Sequence, residues 1–139
     1  MLTDVVLGIW PDVDESFNAD KEALTTHVPK YTEQVYAVTV GSETLYRGNF
    51  TGPELLAKIK DVKAVLPDIK VGTADSWNKF ADGTADAVIK GGVDILMANA
   101  FAYWQGKEVD AGAQYTYFDD MQQALGRIQQ VWLQILATR

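Results

Sequence analysis

The sequence predicts an α/β fold of about four parallel strands alternating with helices, finished by a C-terminal amphipathic helix. All of it lies in one domain over residues 1–139. Three observations carry this. Short apolar runs rich in Val, Ile and Thr recur along the chain, the one at Val35–Val40 without a charge, and read as buried strands. Between them stand segments whose apolar residues fall three or four apart, the period of a helix with one buried face. The connections are short, so successive strands are joined by helical crossovers and lie parallel.

Asp4–Trp10 (DVVLGIW) is the first strand, broken by Pro11 and followed by an acidic loop over Asp12–Glu15. A helix is expected from about Asn18 to Val28, with Ala23, Leu24 and Val28 as its apolar stripe and Pro29 as its stop. Val35–Val40 is the second strand and Gly41 ends it. Thr51, Pro53 and Glu54 form the start signal of a second helix, a capping box with proline in the first turn. That helix continues through Leu55, Leu56, Ile59, Val62 and Leu66 until Pro67. Ile69–Thr73 is the third strand; a short helix over Thr84–Lys90 ends at Gly91-Gly92; Val93–Ala98 is the fourth strand. Met121, Leu125, Ile128, Val131, Trp132, Ile135 and Leu136 then keep helical spacing, which favours one helix over Tyr117–Leu136. A fifth strand at Val131–Ile135 is the alternative.

A hydrophobic content of 47% over 139 residues is enough for a real core. The 19 acidic against 12 basic side chains leave a net charge of −7, which disfavours nucleic acid and anionic membranes as partners. With no cysteine and one histidine, His27, thiol chemistry, disulfides and a His-based metal cluster are excluded. No run is long enough to span a bilayer. Met1–Gly8 lacks a basic leader region and carries Asp4 within its apolar run, so it does not read as a signal peptide. A single glycosylation triplet, Asn49-Phe50-Thr51, fits a secretory origin, though such triplets arise often by chance.

Every expected strand ends in polar or aromatic residues: Trp10, then Glu43, then Asp75 with Trp77, then Asn99 with Tyr103 and Trp104. Parallel α/β folds keep their ligands at the carboxyl ends of the strands, so these residues are the candidate site. No glycine-rich phosphate loop and no G-x-S-x-G elbow is present, and nothing in the chain signals a cofactor.

Three motifs carry a resemblance: Val40-Gly41-Ser42-Glu43-x-Leu45-Tyr46-Arg47-Gly48, Thr73-Ala74-Asp75-Ser76-Trp77-Asn78, and Asn99-Ala100-Phe101-Ala102-Tyr103-Trp104-Gln105-Gly106. In this order and spacing they resemble the fungal family 17 glycoside hydrolases, the β-1,3-glucan endohydrolases and glucanosyltransferases of cell walls. The likeness runs from about Asp4 to Gln130. It implies a partial, half TIM-type (β/α)8 barrel equivalent to roughly its third to sixth βα units, and a secreted or cell-wall location. It also implies that Glu43 stands where the family has its catalytic acid/base, although Ser42 precedes it where asparagine is usual. The resemblance puts Asp75, Trp77, Asn99, Phe101 and Tyr103 where the family lines its glucan cleft; Trp10 and Trp104, aromatics at strand ends, and Tyr46 are the further candidate glucan contacts, and Tyr46 and Arg47 are candidates to orient Glu43.

A retaining glycosidase needs a second carboxylate roughly 5 Å from the first. The family supplies it in a segment like V-W-x-x-E-T-G-W-P. Here Val131-Trp132-Leu133 is followed by Gln134-Ile135-Leu136-Ala137-Thr138-Arg139, with no acid. Asp75 is a poor substitute because it comes from the neighbouring strand, on the same side of a bound sugar. A complete barrel typically needs ~250 residues. The chain therefore reads as a barrel that lost both ends, or a piece of one.

Three functions remain open: a glucan-binding domain with little or no hydrolysis, an active β-1,3-glucanase completed by self-association, and an interaction protein with a vestigial cleft. A homodimer is the expected assembly. Four strands cut from a barrel have two bare edges, and Val6, Val38, Val40, Val71 and Ile95, or their alternates, would face an absent half of the core. The other expectation is that the Tyr117–Leu136 helix closes the open face, burying Trp132, Ile135 and Leu136.

Overall fold

The computed structural model describes residues 4–108 and 112–138. The first three residues of the Met1–Gly8 segment lie outside them, as does Arg139. Four strands, β1 (Val5–Ile9), β2 (Val35–Ser42), β3 (Lys70–Ser76) and β4 (Ile95–Asn99), form one sheet in the order β1-β2-β3-β4. All three pairings are parallel, with Leu7 beside Val38, Val38 beside Val71, and Asp75 beside Ala98. A strictly sequential order is that of a singly wound sheet, as in a barrel, and not of a doubly wound one with a switch point.

The helices are α1 (Asp14–His27), α2 (Gly52–Val65), α3 (Trp77–Ala81), α4 (Asp86–Lys90) and α5 (Ala113–Ala137), with 3-10 turns at Val28–Lys30 and Ala102–Gln105. Helix α1 begins four residues before the expected Asn18, because Asp14 and Glu15 are acids suited to a helix N-terminus and Phe17 anchors the first turn in the core. At the start of α2 the capping box forms in full: Glu54 Oε2 accepts from the Thr51 amide at 2.8 Å and Glu54 N donates back to Thr51 Oγ1. Those donors hold the Glu54 carboxyl below its usual range. Strand β3 runs three residues past the expected Thr73, and α3 follows it directly, so Trp77 opens a helix.

The alternation of the strands sorts their side chains. Val38, Val40 and Val71 pack with Leu55, Ile59 and Val62 of α2, Phe80 of α3, Val88 and Ile89 of α4 and Val131 of α5 in one core cluster. Burying each large side chain of that cluster stabilises the fold by about 1.5–3 kcal/mol. The other face carries the alternate residues, among them Gly8, Thr39, Gly72, Ala74, Ile95 and Met97. Val38, Val40 and Val71 therefore face the helices, and only Val6 and Ile95 of the expected set fall on the open face. Gly72 is required there: a Cβ would stand 1.7 Å from the Ile95 carbonyl oxygen.

Residues 131–135 are helical, which removes the strand alternative. Helix α5 packs on α3 and α4 within the helix layer and does not fold over the open face. It buries Ala124 and Val131 but leaves Trp132 and Leu136 exposed. Arg127 fastens it through a two-pronged ion pair with Asp86, which holds the guanidinium pKa above its usual value. No helix among the described residues is long and apolar enough to cross a membrane.

Candidate functional site

The carboxyl end of β2 makes an abrupt turn. Gly41 has φ +79°, and a side chain there would place its Cβ 2.2 Å from Thr44 Oγ1. Two residues on, Glu43 has φ +54°, the one non-glycine residue in the left-handed region among those described. Such a conformation is costly and persists only where neighbours fix it. The Glu43 amide donates to the Ala74 carbonyl at 2.9 Å, and its carbonyl accepts from the Arg47 amide at 2.8 Å.

Asp75 completes the clamp. It is fully buried on β3 and accepts the amides of Leu45 (2.8 Å), Tyr46 (3.1 Å) and Ser76 (2.8 Å). Burial raises its pKa and the Glu43 charge adds to the rise, while the amide donors oppose it. The Glu43 side chain is left half-buried, with Oε1 accepting from Asn99 Nδ2 at 3.1 Å across from the end of β4.

Over the ends of β2, β3 and β4 lies a cleft of about 680 Å³ lined by Glu43, Tyr46, Ser76, Trp77, Asn78, Asn99, Phe101, Trp104 and Gln105. A smaller, apolar groove of about 440 Å³ lies beside β1 and α1, and no carboxylate lines it. In the cleft, Glu43 is the one carboxylate of the lining. Phe101 and Trp104 are exposed, and Trp77 is partly embedded in the core. Flat apolar surfaces beside amides, a hydroxyl and a carboxyl suit a polyhydroxylated ring, which offers C–H faces and hydroxyl edges.

Of the residues expected at the site, the structure brings together Glu43, Tyr46, Trp77, Asn99, Phe101 and Trp104. It does not bring in Trp10, Asp75 or Tyr103. Trp10 ends the edge strand β1; its amide donates to Asp20 and its ring lies under the Arg47 guanidinium at 4.6 Å. Asp75 is consumed behind the cleft wall by three amides, so it acts on the neighbouring loop. Tyr103 stands edge-on to Trp104 with ring centroids 5.0 Å apart and points away from the lining, 78% exposed. Arg47 is turned from Glu43 as well, pairing with Asp12 at 2.7 Å and with the Ser42 carbonyl.

Sequence reasoning missed Ser76, Asn78 and Gln105 as lining residues. Asn78 Oδ1 is buried with no hydrogen-bond partner, and Gln105 Nε2 donates to the buried Asp120 of α5 at 2.6 Å. The signal was present in the strand-end motifs that contain them. It went unused because α3 and the 3-10 turn at Ala102–Gln105, which aim these side chains, are too short to leave a periodic pattern.

Comparison with known proteins agrees with this geometry. A family described as BtgE/BtgC glycoside hydrolase domain matches residues 2–134. The chain is 64% identical over 124 residues to a glucan 1,3-beta-glucosidase of Arthroderma benhamiae, covering 89% of this chain and 40% of that protein. It is 44% identical over 137 residues to a glucan 1,3-beta-glucosidase of Saccharomyces cerevisiae, covering 90% and 43%. Among solved structures, an active-site mutant of Rhizomucor miehei beta-1,3-glucanosyltransferase in complex with laminaritriose matches with a TM-score of 0.76 and 36% identity, over 91% of this chain and 46% of that one. A second structure from that organism, of a glycoside hydrolase family 17 beta-1,3-glucanosyltransferase, matches with the same TM-score at 35% identity, over 90% of this chain and 46% of that one. The chain thus spans less than half the length of these relatives.

Proposed function

The chain belongs to the BtgE/BtgC glycoside hydrolase domain family, and from that premise we propose that its cleft binds β-1,3-glucan, with Glu43 in the position of the catalytic acid/base and with little or no hydrolysis by these 139 residues alone. The observation that carries this is the union of Glu43, Asn99, Trp77, Phe101 and Trp104 in a cleft whose lining has a single carboxylate. An acid/base can protonate a leaving glycosidic oxygen, but retaining hydrolysis also needs a carboxylate on the opposite face of the sugar. Asp75 is on the same side and is engaged by three backbone amides. The bound laminaritriose of the Rhizomucor miehei neighbour supports the choice of ligand.

The same reading takes the chain as roughly the third to sixth βα units of a barrel, places it in the cell wall or outside the cell, and makes it a homodimer. Its test is product analysis on β-1,3-glucan. The purified chain should release no oligosaccharide above background, since catalytic groups that act as a unit fail together. Turnover that disappears in Glu43→Gln would overturn the reading and make the chain an enzyme.

A further inference from the structure

We propose that Asp120 is a positioning residue: it holds the Gln105 amide with its oxygen turned to the cleft, where that oxygen accepts a hydroxyl of the glucan ring lying on Trp104. This deepens the glucan-binding reading above and rests on it.

Asp120 is a buried acid with a single partner. It lies on the inward side of α5, 5% exposed, one turn before the buried Ala124. Among the described residues its carboxylate accepts one side-chain hydrogen bond, from Gln105 Nε2 at 2.6 Å. The one cation of α5, Arg127, is committed to Asp86. Taking a carboxylate out of water onto one neutral donor costs stability that an apolar side chain would not cost. Ala124 shows what packing alone asks for on that face of the helix. It is the chemistry of Asp120, and not its volume, that sets it apart.

That chemistry is one of direction. A carboxylate accepts and does not donate, so it takes only the NH2 end of a side-chain amide. A serine or asparagine at this place would let the amide of Gln105 stand either way round. Asp120 allows one way: Nε2 toward the helix and Oε1 away from it. Gln105 lines the cleft, so the amide of a flexible side chain enters it with a fixed polarity. Its backbone is held as well. The 3-10 turn at Ala102–Gln105 is closed by Gly106 at φ +68°, whose amide donates to the Tyr103 carbonyl at 3.0 Å.

Asn99 is set in the same way. Its Nδ2 donates to Glu43 Oε1 at 3.1 Å, so its oxygen too is turned from a carboxylate. Two amides of the lining thus commit a donor to an acid and leave an acceptor for the ligand. Acceptors recognise donors, and a sugar ring carries hydroxyl donors around its edge. Its C–H face suits the exposed ring of Trp104, which precedes Gln105 on the same turn and lines the same cleft. Stacking on Trp104 and a hydroxyl given to Gln105 Oε1 therefore act on one ring. A fixed acceptor also discriminates, because a ring with no hydroxyl to offer leaves it unpaired.

The test is a double-variant cycle, read as laminaritriose affinity by tryptophan fluorescence. Gln105→Ala should weaken binding about fivefold to tenfold. Asp120→Asn frees the amide to turn round and should weaken it about threefold or more, while melts show a chain no less stable than the wild type, since a buried charge is gone. In the Gln105→Ala background Asp120→Asn should change affinity by less than about twofold, because it acts through Gln105 alone. Gln105→Glu by itself sets two carboxylates against each other. Combined with Asp120→Asn it reverses the bond, so that asparagine donates and the glutamate oxygen faces the ligand, and affinity should return. A purely structural Asp120 would give neither the silence in the first background nor the rescue in the second. Saturable wild-type binding that Gln105→Ala leaves unmoved overturns this contact alone, as does an Asp120→Asn loss that persists without Gln105. A flat wild-type titration overturns the glucan reading and this contact with it. If Gln105→Ala does not fold, Gln105→Met, of similar length and without the amide, carries the same expectation.

Discussion

Replacing Asp75 by asparagine tests how the turn that presents Glu43 is held. The side chain is fully buried and accepts three backbone amides, from Leu45 at 2.8 Å, Tyr46 at 3.1 Å and Ser76 at 2.8 Å. Asparagine keeps the shape but has one acceptor oxygen, and its NH2 group points donors at donors. The Leu45 bond is buried and the other two are partly so. A buried donor left unpaired costs about 1–3 kcal/mol, so the loss should be about 2 kcal/mol after crediting relief from burying a charge. For a domain of this size a urea slope of about 1.5 kcal/mol/M turns that into a midpoint lower by about 1.3 M.

The pH dependence has a definite sign. Burial, aided by the Glu43 charge, raises the Asp75 pKa, so the folded chain holds that proton more tightly than the unfolded chain does. Its contribution is fully present below the unfolded value of 3.8 and declines as pH rises through the higher folded value. The gap between wild type and Asp75→Asn should therefore be widest near pH 4 and narrow toward neutrality. Urea melts at fixed protein concentration across this range measure it. A midpoint shift under about 0.3 M would refute the clamp, and a gap that widens with pH would show that the amide donors and not burial set the Asp75 pKa.

Gly41→Ala forces a methyl group to 2.2 Å from Thr44 Oγ1 at φ +79°, whereas Gly48→Ala at φ +71° meets open space. The first should cost at least about 2 kcal/mol and the second about 1 kcal/mol in thermal or urea melts; equal losses would show that backbone strain alone matters. Thr51→Ala removes one side of the capping box of α2 and should cost about 1 kcal/mol, with the urea slope unchanged.

The strands β1 and β2 were legible as apolar runs with Pro11 after the first and Gly41 near the end of the second. The α2 start was legible because Thr51, Pro53 and Glu54 have a fixed mechanical meaning. Less visible was the direction of the side chains. Val38 and Val71 read equally well as facing a barrel lumen or the helices, since a parallel strand is apolar on both faces. The site was legible as a set of strand ends, which put Glu43, Asn99 and Trp104 in one cleft. Trp10 and Tyr103 share that composition but not that place. A strand-end aromatic is aimed by its local turn, and the turns at Arg47 and at Ala102–Gln105 left no mark in the periodicity.

The most direct test of the central claim is a tryptophan-fluorescence titration of the chain with laminaritriose. Trp77 and Trp104 line the cleft, so binding should give a saturable change. Trp104→Ala should weaken it by about 1–2 kcal/mol, roughly fivefold to thirtyfold, while Tyr103→Ala, outside the lining, should leave it nearly unchanged. A flat titration at millimolar ligand, or an affinity untouched by Trp104→Ala, would contradict the account.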